Sequence, residues 1–183
     1  MVNLQKNNQL IKEDVFKKMG LEEGMKVGDL GCGNLAYYAF NAAKIVGKKG
    51  LVFAVDVLKS VLEVVNQHIK QEGLDNIKTV WSNLEILGGT NIPNESLDAA
   101  FIHNVLFQST EQQKFLQETA RLLKKGGKLM IIDWKKTGAP FGPPVKSRPD
   151  PEKIKQLAES VGLKTLEEFD AGPYHFGIIF SKA

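Results

Sequence analysis

Short apolar runs alternate with amphipathic stretches along almost the whole chain, and this alternation leaves few folds open. The runs MKVGDL (25–30), LVFAV (51–55), IKTVW (77–81), LDAAFIH (97–103) and GKLMIID (127–133) read as strands. They are apolar on both faces, as a parallel sheet covered by helices requires. Amphipathic stretches at about 35–47, 59–72 and 111–124 supply helices between them. Right-handed crossovers then predict a doubly wound sheet. A last helix, PEKIKQLAESVG, follows Asp150 as N-cap with Pro151 at its first position. LKTLEEFDA (163–171) and HFGIIFSKA (175–183) read as two strands joined through Gly172-Pro173, an antiparallel hairpin. The expectation is an α/β sandwich whose seven-stranded sheet is mostly parallel and ends antiparallel.

The chain of 183 residues is read as one domain, 1–183, with an N-terminal helical segment at 1–24 and a Pro-rich loop at 137–151. Leu10, Ile11, Val15, Phe16 and Met19 mark the apolar side of that first helix, and Gly20 and Gly24 end it. No apolar run approaches the roughly 20 residues that span a bilayer, and the polar N-terminus is unlike a secretory signal. Cys32 is the single cysteine, so no internal disulfide framework exists and a cytoplasmic setting is expected. The net charge of +3 is scattered among many acids, which argues against nucleic-acid binding. His68, His103 and His175 lie far apart with no CxxC or HxxxH pattern, so no metal site is expected.

The segment VGDLGCGNLAYYA (27–39) carries the first chemistry. An apolar strand ends in Asp29, passes Gly31, Cys32 and Gly33, and turns into a helix whose free N–H groups suit a polar or anionic group. By spacing alone, Gly31-x-Gly33-x-x-Ala36 with Asp56 downstream also meets the dinucleotide fingerprint. Asp29 separates the two readings. A carboxylate there repels a pyrophosphate and suits a ligand with positive charge, such as the ammonium and sulfonium of S-adenosylmethionine.

DLGCG before a helix, then VFAVDV, then LLKKGGKLMIIDW, resembles the class I S-adenosylmethionine-dependent methyltransferases. The run is most similar to the ubiquinone/menaquinone-type, small-molecule branch, over residues 25–134 and the terminal hairpin. The resemblance implies a three-layer Rossmann-like sandwich and transfer of a methyl group from S-adenosyl-L-methionine to a small-molecule acceptor. It also implies site roles. Asp29, Gly31, Cys32 and Gly33 would line the methionine part of the cofactor, Asp56 would accept from both ribose hydroxyls, and Val57 would pack on the adenine face. Asn83 stands where the family often has an acid that reads the adenine amino group, and its amide oxygen can still accept that bond. Leu35 departs from the family, which usually carries a third glycine there.

For methyl transfer the site must lie outside the carboxyl ends of the parallel strands. His103 and Asn104 end the fourth strand and Asp133 and Trp134 the fifth, while the hairpin brings Tyr174 and His175 to the same edge. His103, Tyr174 and His175 are therefore the candidate catalytic residues, with His103 also a candidate cofactor contact and His68 a surface residue. In the Pro-rich loop, Phe141 is a candidate cover for an apolar substrate. Lys135, Lys136, Lys146 and Arg148 are candidates to attract an anionic group. A non-catalytic cofactor-binding protein, an RNA or protein methyltransferase, an NAD-dependent oxidoreductase and a homo-oligomer all stay open at this point.

Overall fold

The computed structural model describes residues 15–137 and 139–183. The expected N-terminal helix falls largely outside them, including Leu10 and Ile11. Its described part is the short helix α1 (Val15–Met19), anchored by buried Val15 and Met19. Then follow β1 (Lys26–Leu30), α2 (Tyr37–Val46), β2 (Leu51–Asp56), α3 (Lys59–Glu72) and β3 (Ile77–Trp81). The chain continues through β4 (Leu97–His103), a 3-10 turn at Leu106–Gln108, α4 (Gln112–Leu122) and β5 (Leu123–Trp134). It closes with α5 (Pro151–Ser160), β6 (Leu163–Asp170) and β7 (His175–Lys182).

The strands form one seven-stranded sheet in the order β3-β2-β1-β4-β5-β7-β6. β1 to β5 pair in parallel, whereas β7 runs antiparallel between β5 and β6. This is the Rossmann-like sandwich the alternation calls for. The order reverses at β1, which lies between β2 and β4, and a crevice opens where crossovers leave in opposite directions.

Period-two alternation sorts each strand between the two faces. Val27, Ala54, Phe101, Ile132 and Ile179 meet α1, α2 and α3 on one side. Leu30, Ile102, Ile131, Ile178 and Phe180 meet α4 and α5 on the other. Each such buried side chain contributes about 1.5–3 kcal/mol against its exposed state. The outer strand β6 carries Lys164, Glu167 and Glu168, charges that blunt an edge. β5 starts earlier than the apolar run suggests. Leu123 already pairs with Leu97, and a register shift between Leu97 and Ala99 absorbs the glycine-rich turn before Lys128. Asp150 caps α5 as expected, its carboxylate accepting from Glu152 N at 3.0 Å. Among the described residues no helix is long and apolar enough to cross a membrane.

The segment after β5 corrects one expectation. Arg148 is only 4 % exposed and works as an internal staple rather than an anion lure. It donates to the carbonyls of Lys135 (2.9 Å), Thr137 (2.5 Å) and Pro143 (3.0 Å), and its guanidinium lies over the Trp134 ring. Lys135 pairs with Asp170 and Lys136 with Asp150. Phe141 packs edge-on against Trp134 and Tyr174. Chain made of prolines and glycine has few backbone donors, so a side chain with five donors supplies the fastening. Arg148→Met should therefore lower stability by about 2–4 kcal/mol through stranded carbonyls. Urea denaturation reads this, with faster proteolytic cutting in 139–149; an unchanged midpoint would remove the staple role.

Candidate active site

The turn after β1 is held from both sides. Gly31 N and Cys32 N donate to Val55 O at 2.8 and 2.9 Å, which ties the turn to the end of β2. Gly31 has φ 87°, and a Cβ there would meet Val105 Cγ2 at 2.5 Å, so only glycine fits. Gly33 has φ 61° and open space where a Cβ would stand, leaving its backbone free for close approach. Leu35 does not need a glycine's freedom: the left-handed residue is Ala36, at φ 42° and ψ 42°, just before α2. Leu35 instead leans on the rim, 36 % exposed.

Two carboxylates stand at the ends of neighbouring strands. Asp56 accepts from Gly33 N through Oδ2 and from Leu58 N through Oδ1, both at 3.0 Å. Asp29 is 2 % exposed and accepts from Ala39 N in the first turn of α2 at 3.0 Å. Burial, with a smaller push from Asp56, raises the Asp29 carboxyl to about 7. Among the described residues, no cationic side chain is in hydrogen-bond contact with Asp29. The Cys32 thiol beside these acids is pushed far up by burial and by both carboxylates, so it stays protonated.

These residues open onto a cavity of about 670 Å³, within the usual range for small-molecule sites. Asp29, Gly31, Cys32 and Gly33 line it on the β1 side; Asp56, Val57 and Asn83 line it on the β2–β3 side, and His103 on the β4 side. The Asn83 amide oxygen already accepts from Glu85 N at 2.9 Å. The sequence reading missed further lining residues, among them Leu84, Glu85, Gln108 and Ser109. Asn104, named with His103 at the end of the fourth strand, lines the cavity with Tyr37 and Tyr38, whereas Leu84, Gln108 and Ser109 belong to loops that only folding brings near.

Behind His103 lies a neutral aromatic cluster. Tyr38 stacks on Phe101 and sits 5.0 Å from the His103 ring, His103 is 6.0 Å from His175, and Trp134 is 4.3 Å from His175. Burial, then His175, holds the His103 imidazole down at about 3. Burial, then Lys135 and Arg148, holds His175 at about 4. Tyr38 Oη, His103 Nε2 and both His175 nitrogens lack partners among the described residues. Two placements differ from expectation. His175 is fully buried and neither it nor Tyr174 lines the cavity, because β7 sets its first residue opposite Trp134, beneath the stapled loop. Asp133 points to the opposite face, where its carboxylate accepts from Leu106 N at 3.0 Å and fastens the 3-10 turn. No group of three or more His, Cys, Asp or Glu among the described residues is arranged to hold a metal ion.

A glycine turn between two strand-end carboxylates, at the point where strand order reverses, has the charge and backbone geometry to suit a small polar ligand with positive charge. The chain belongs to the methyltransferase domain family, whose model matches residues 21–170, within the class I S-adenosylmethionine-dependent methyltransferases. It is 31% identical over 188 residues to a ubiquinone/menaquinone biosynthesis C-methyltransferase, UbiE, of Francisella philomiragia, covering 90% of this chain and 73% of that one. The solved structure of a SAM dependent methyltransferase from Aquifex aeolicus matches with a TM-score of 0.86 and 30% identity, over 96% of this chain and 92% of that chain. Geranyl diphosphate C-methyltransferase from Streptomyces coelicolor, solved with S-adenosyl-L-homocysteine, shares the fold at 12% identity. Its TM-score is 0.75, over 100% of this chain and 81% of that one.

The buried acid has a measurable cost. Asp29 is raised from 3.8 to about 7, so between those values the folded state binds more protons than the unfolded one. Its contribution to stability therefore falls as pH climbs from about 4 to 7 and is level above. Asn in its place can still accept from Ala39 N without the charge. Asp29→Asn should thus gain on wild type as pH rises, reaching about 2–4 kcal/mol at pH 8. Urea unfolding at pH 5 and pH 8 tests this; a gap independent of pH would contradict it.

Proposed function

We propose that this protein binds S-adenosyl-L-methionine in the cavity and transfers its methyl group to a small-molecule acceptor. The observation that carries the reading is Asp29, a carboxylate buried with no cationic partner among the described residues, beside a glycine turn that is open at Gly33. The donor set fits the cofactor. Asp29 would face its positive end. The open backbone at Gly33 would let the methionine part approach. Asp56 keeps a free lone pair on each oxygen after its two backbone bonds, enough for a ribose diol. Val57 and Asn83 would face the base. When bound, the cofactor supplies an electrophilic methyl group on a sulfonium.

The chain's own residues then orient and exclude water, which carries much of the catalysis in an in-line displacement. Of the three catalytic candidates, His103 is the one that lines the cavity, and its low pKa keeps it neutral at pH 7. It can orient an acceptor by hydrogen bonding through its single N–H or its bare ring nitrogen, but it does not take up a second proton near neutral pH. His175 backs that ring, and Tyr174 braces Phe141 at a distance from the cavity. A small-molecule acceptor is favoured over RNA or an acidic surface because, among the described residues, no Lys or Arg lines the cavity. The likeness to quinone-pathway C-methyltransferases supports the small-molecule branch.

Calorimetry with S-adenosylmethionine, S-adenosylhomocysteine and NAD tests the cofactor reading. Both sulfur ligands should bind and NAD should not; the reverse sinks the proposal. Because a cation selects ionised Asp29, affinity for S-adenosylmethionine should fall up to about tenfold per pH unit below about 7 and stay flat above it. Asp29→Asn should abolish that pH dependence and weaken binding at pH 8 by about 10–100-fold.

A further inference from the structure

Glu118 is a fully buried carboxylate that the reaction does not use, and it sits far from both sheet-edge acids in sequence. It lies on α4 and reaches the long connection between β3 and β4. Its Oε2 accepts from Gly88 N at 2.7 Å and from Arg121 Nε at 2.8 Å. Its Oε1 accepts from Thr90 N at 3.0 Å and from Arg121 Nη2 at 2.7 Å. Arg121 in turn donates to Thr90 O, Ile92 O and the Asn94 side chain, so all five of its donors are engaged. Although burial alone would raise the carboxyl, these partners hold it down at about 2.

The pair secures a segment with little packing of its own. Ile86 and Leu87 are 57 % and 53 % exposed, and Leu84 is the side chain that enters the core there. The segment hangs between two fixed points. At one end Ser82 N donates to Asp56 O at 3.1 Å, directly behind the strand-end carboxylate. At the other end Gly88 N meets Glu118. A hydroxyl pair, Ser82 Oγ with Thr90 Oγ1 at 2.9 Å, closes the span. Ser82, Asn83, Leu84 and Glu85, which line the cavity, lie between these points.

We propose that Glu118 and Arg121 are positioning residues that hold the 82–90 span in register against the cofactor's purine, and so set recognition of the base without touching it. This rests on the cofactor reading above. Preorganisation is the physical content: a span fixed before binding loses less freedom when a ligand docks, and a displaced span misaligns its hydrogen-bonding groups with the base edge.

The test uses the full chain and two probes, S-adenosylhomocysteine and S-inosylhomocysteine, which differ at the C6–N1 edge of the purine: an amino group and a bare N1 in one, an oxo group and N1–H in the other. Wild type should prefer the adenine probe at least tenfold. Glu118→Gln and Arg121→Lys should each weaken S-adenosylhomocysteine about tenfold and bring the preference within about threefold. Thr90→Val, which keeps the ion pair and loses the hydroxyl contacts, should fold normally and show a smaller drop in preference. Equal loss for both probes, with the ratio kept, would show a merely structural role and overturn the proposal, as would a wild type indifferent to the base. If wild type binds neither probe, the cofactor reading itself fails, a different result from a kept ratio.

Discussion

The bond between Asp56 and Gly33 N is the contact on which the site most depends. Asp56 ends β2, and Gly33 belongs to the turn after β1. A carboxylate with two oxygens can fasten that turn and, through Leu58 N, the entry to α3 at the same time. Val61 N and Leu62 N then donate to Leu58 O, so the start of the helix is referenced to the same side chain. The glycine turn therefore has its shape before any ligand arrives. A residue read as a ribose acceptor is also the brace of the loop, which makes its structural and binding roles inseparable in a simple truncation.

Electrostatics divides the molecule into two ends. Asp29, Asp56 and Glu85 line the cavity, and among the described residues no Lys or Arg does. Lys135, Lys136 and Arg148 gather on the other side of β5, where each is engaged by a carboxylate or by backbone carbonyls. Between the two ends stand the imidazoles of His103 and His175, kept neutral by burial. A charged pair of histidines here would face Arg148 and Lys135 across a low-dielectric gap, so neutrality is the arrangement that folding permits.

Much of the fold was legible because it depends on local pattern. Apolar runs marked the strands, and parallel topology placed their ends on one edge without any knowledge of contacts. His103 was named on that logic as a strand-end residue, whereas Asp29 came from the glycine turn and Asp56 from the fingerprint spacing and the family resemblance. The rest depends on contacts that pattern does not carry. Nothing local says that Ala36, and not position 35, takes the left-handed conformation. Arg148 looks like a surface cation until the carbonyls of a proline-rich loop converge on it. His175 looks like an edge residue until its register opposite Trp134 places it under that loop. Glu118 is hidden for the same reason, since its partners Gly88 and Thr90 lie on a connection without periodicity.

These long-range fastenings also set two segments apart from the sheet. The strand-end acids and the glycine turn are tied to sheet geometry, so they vary little in position once β1 and β2 pair. The connection between β3 and β4 and the loop after β5 are instead held by single buried side chains, Glu118 with Arg121 and Arg148. Each can be rebuilt without disturbing the sheet, because its anchor lies on a helix or in the loop and not in the parallel core. Function follows from sites set on folds rather than from folds themselves, and here the segments least bound to the sheet are those fastened by one ion pair or one guanidinium.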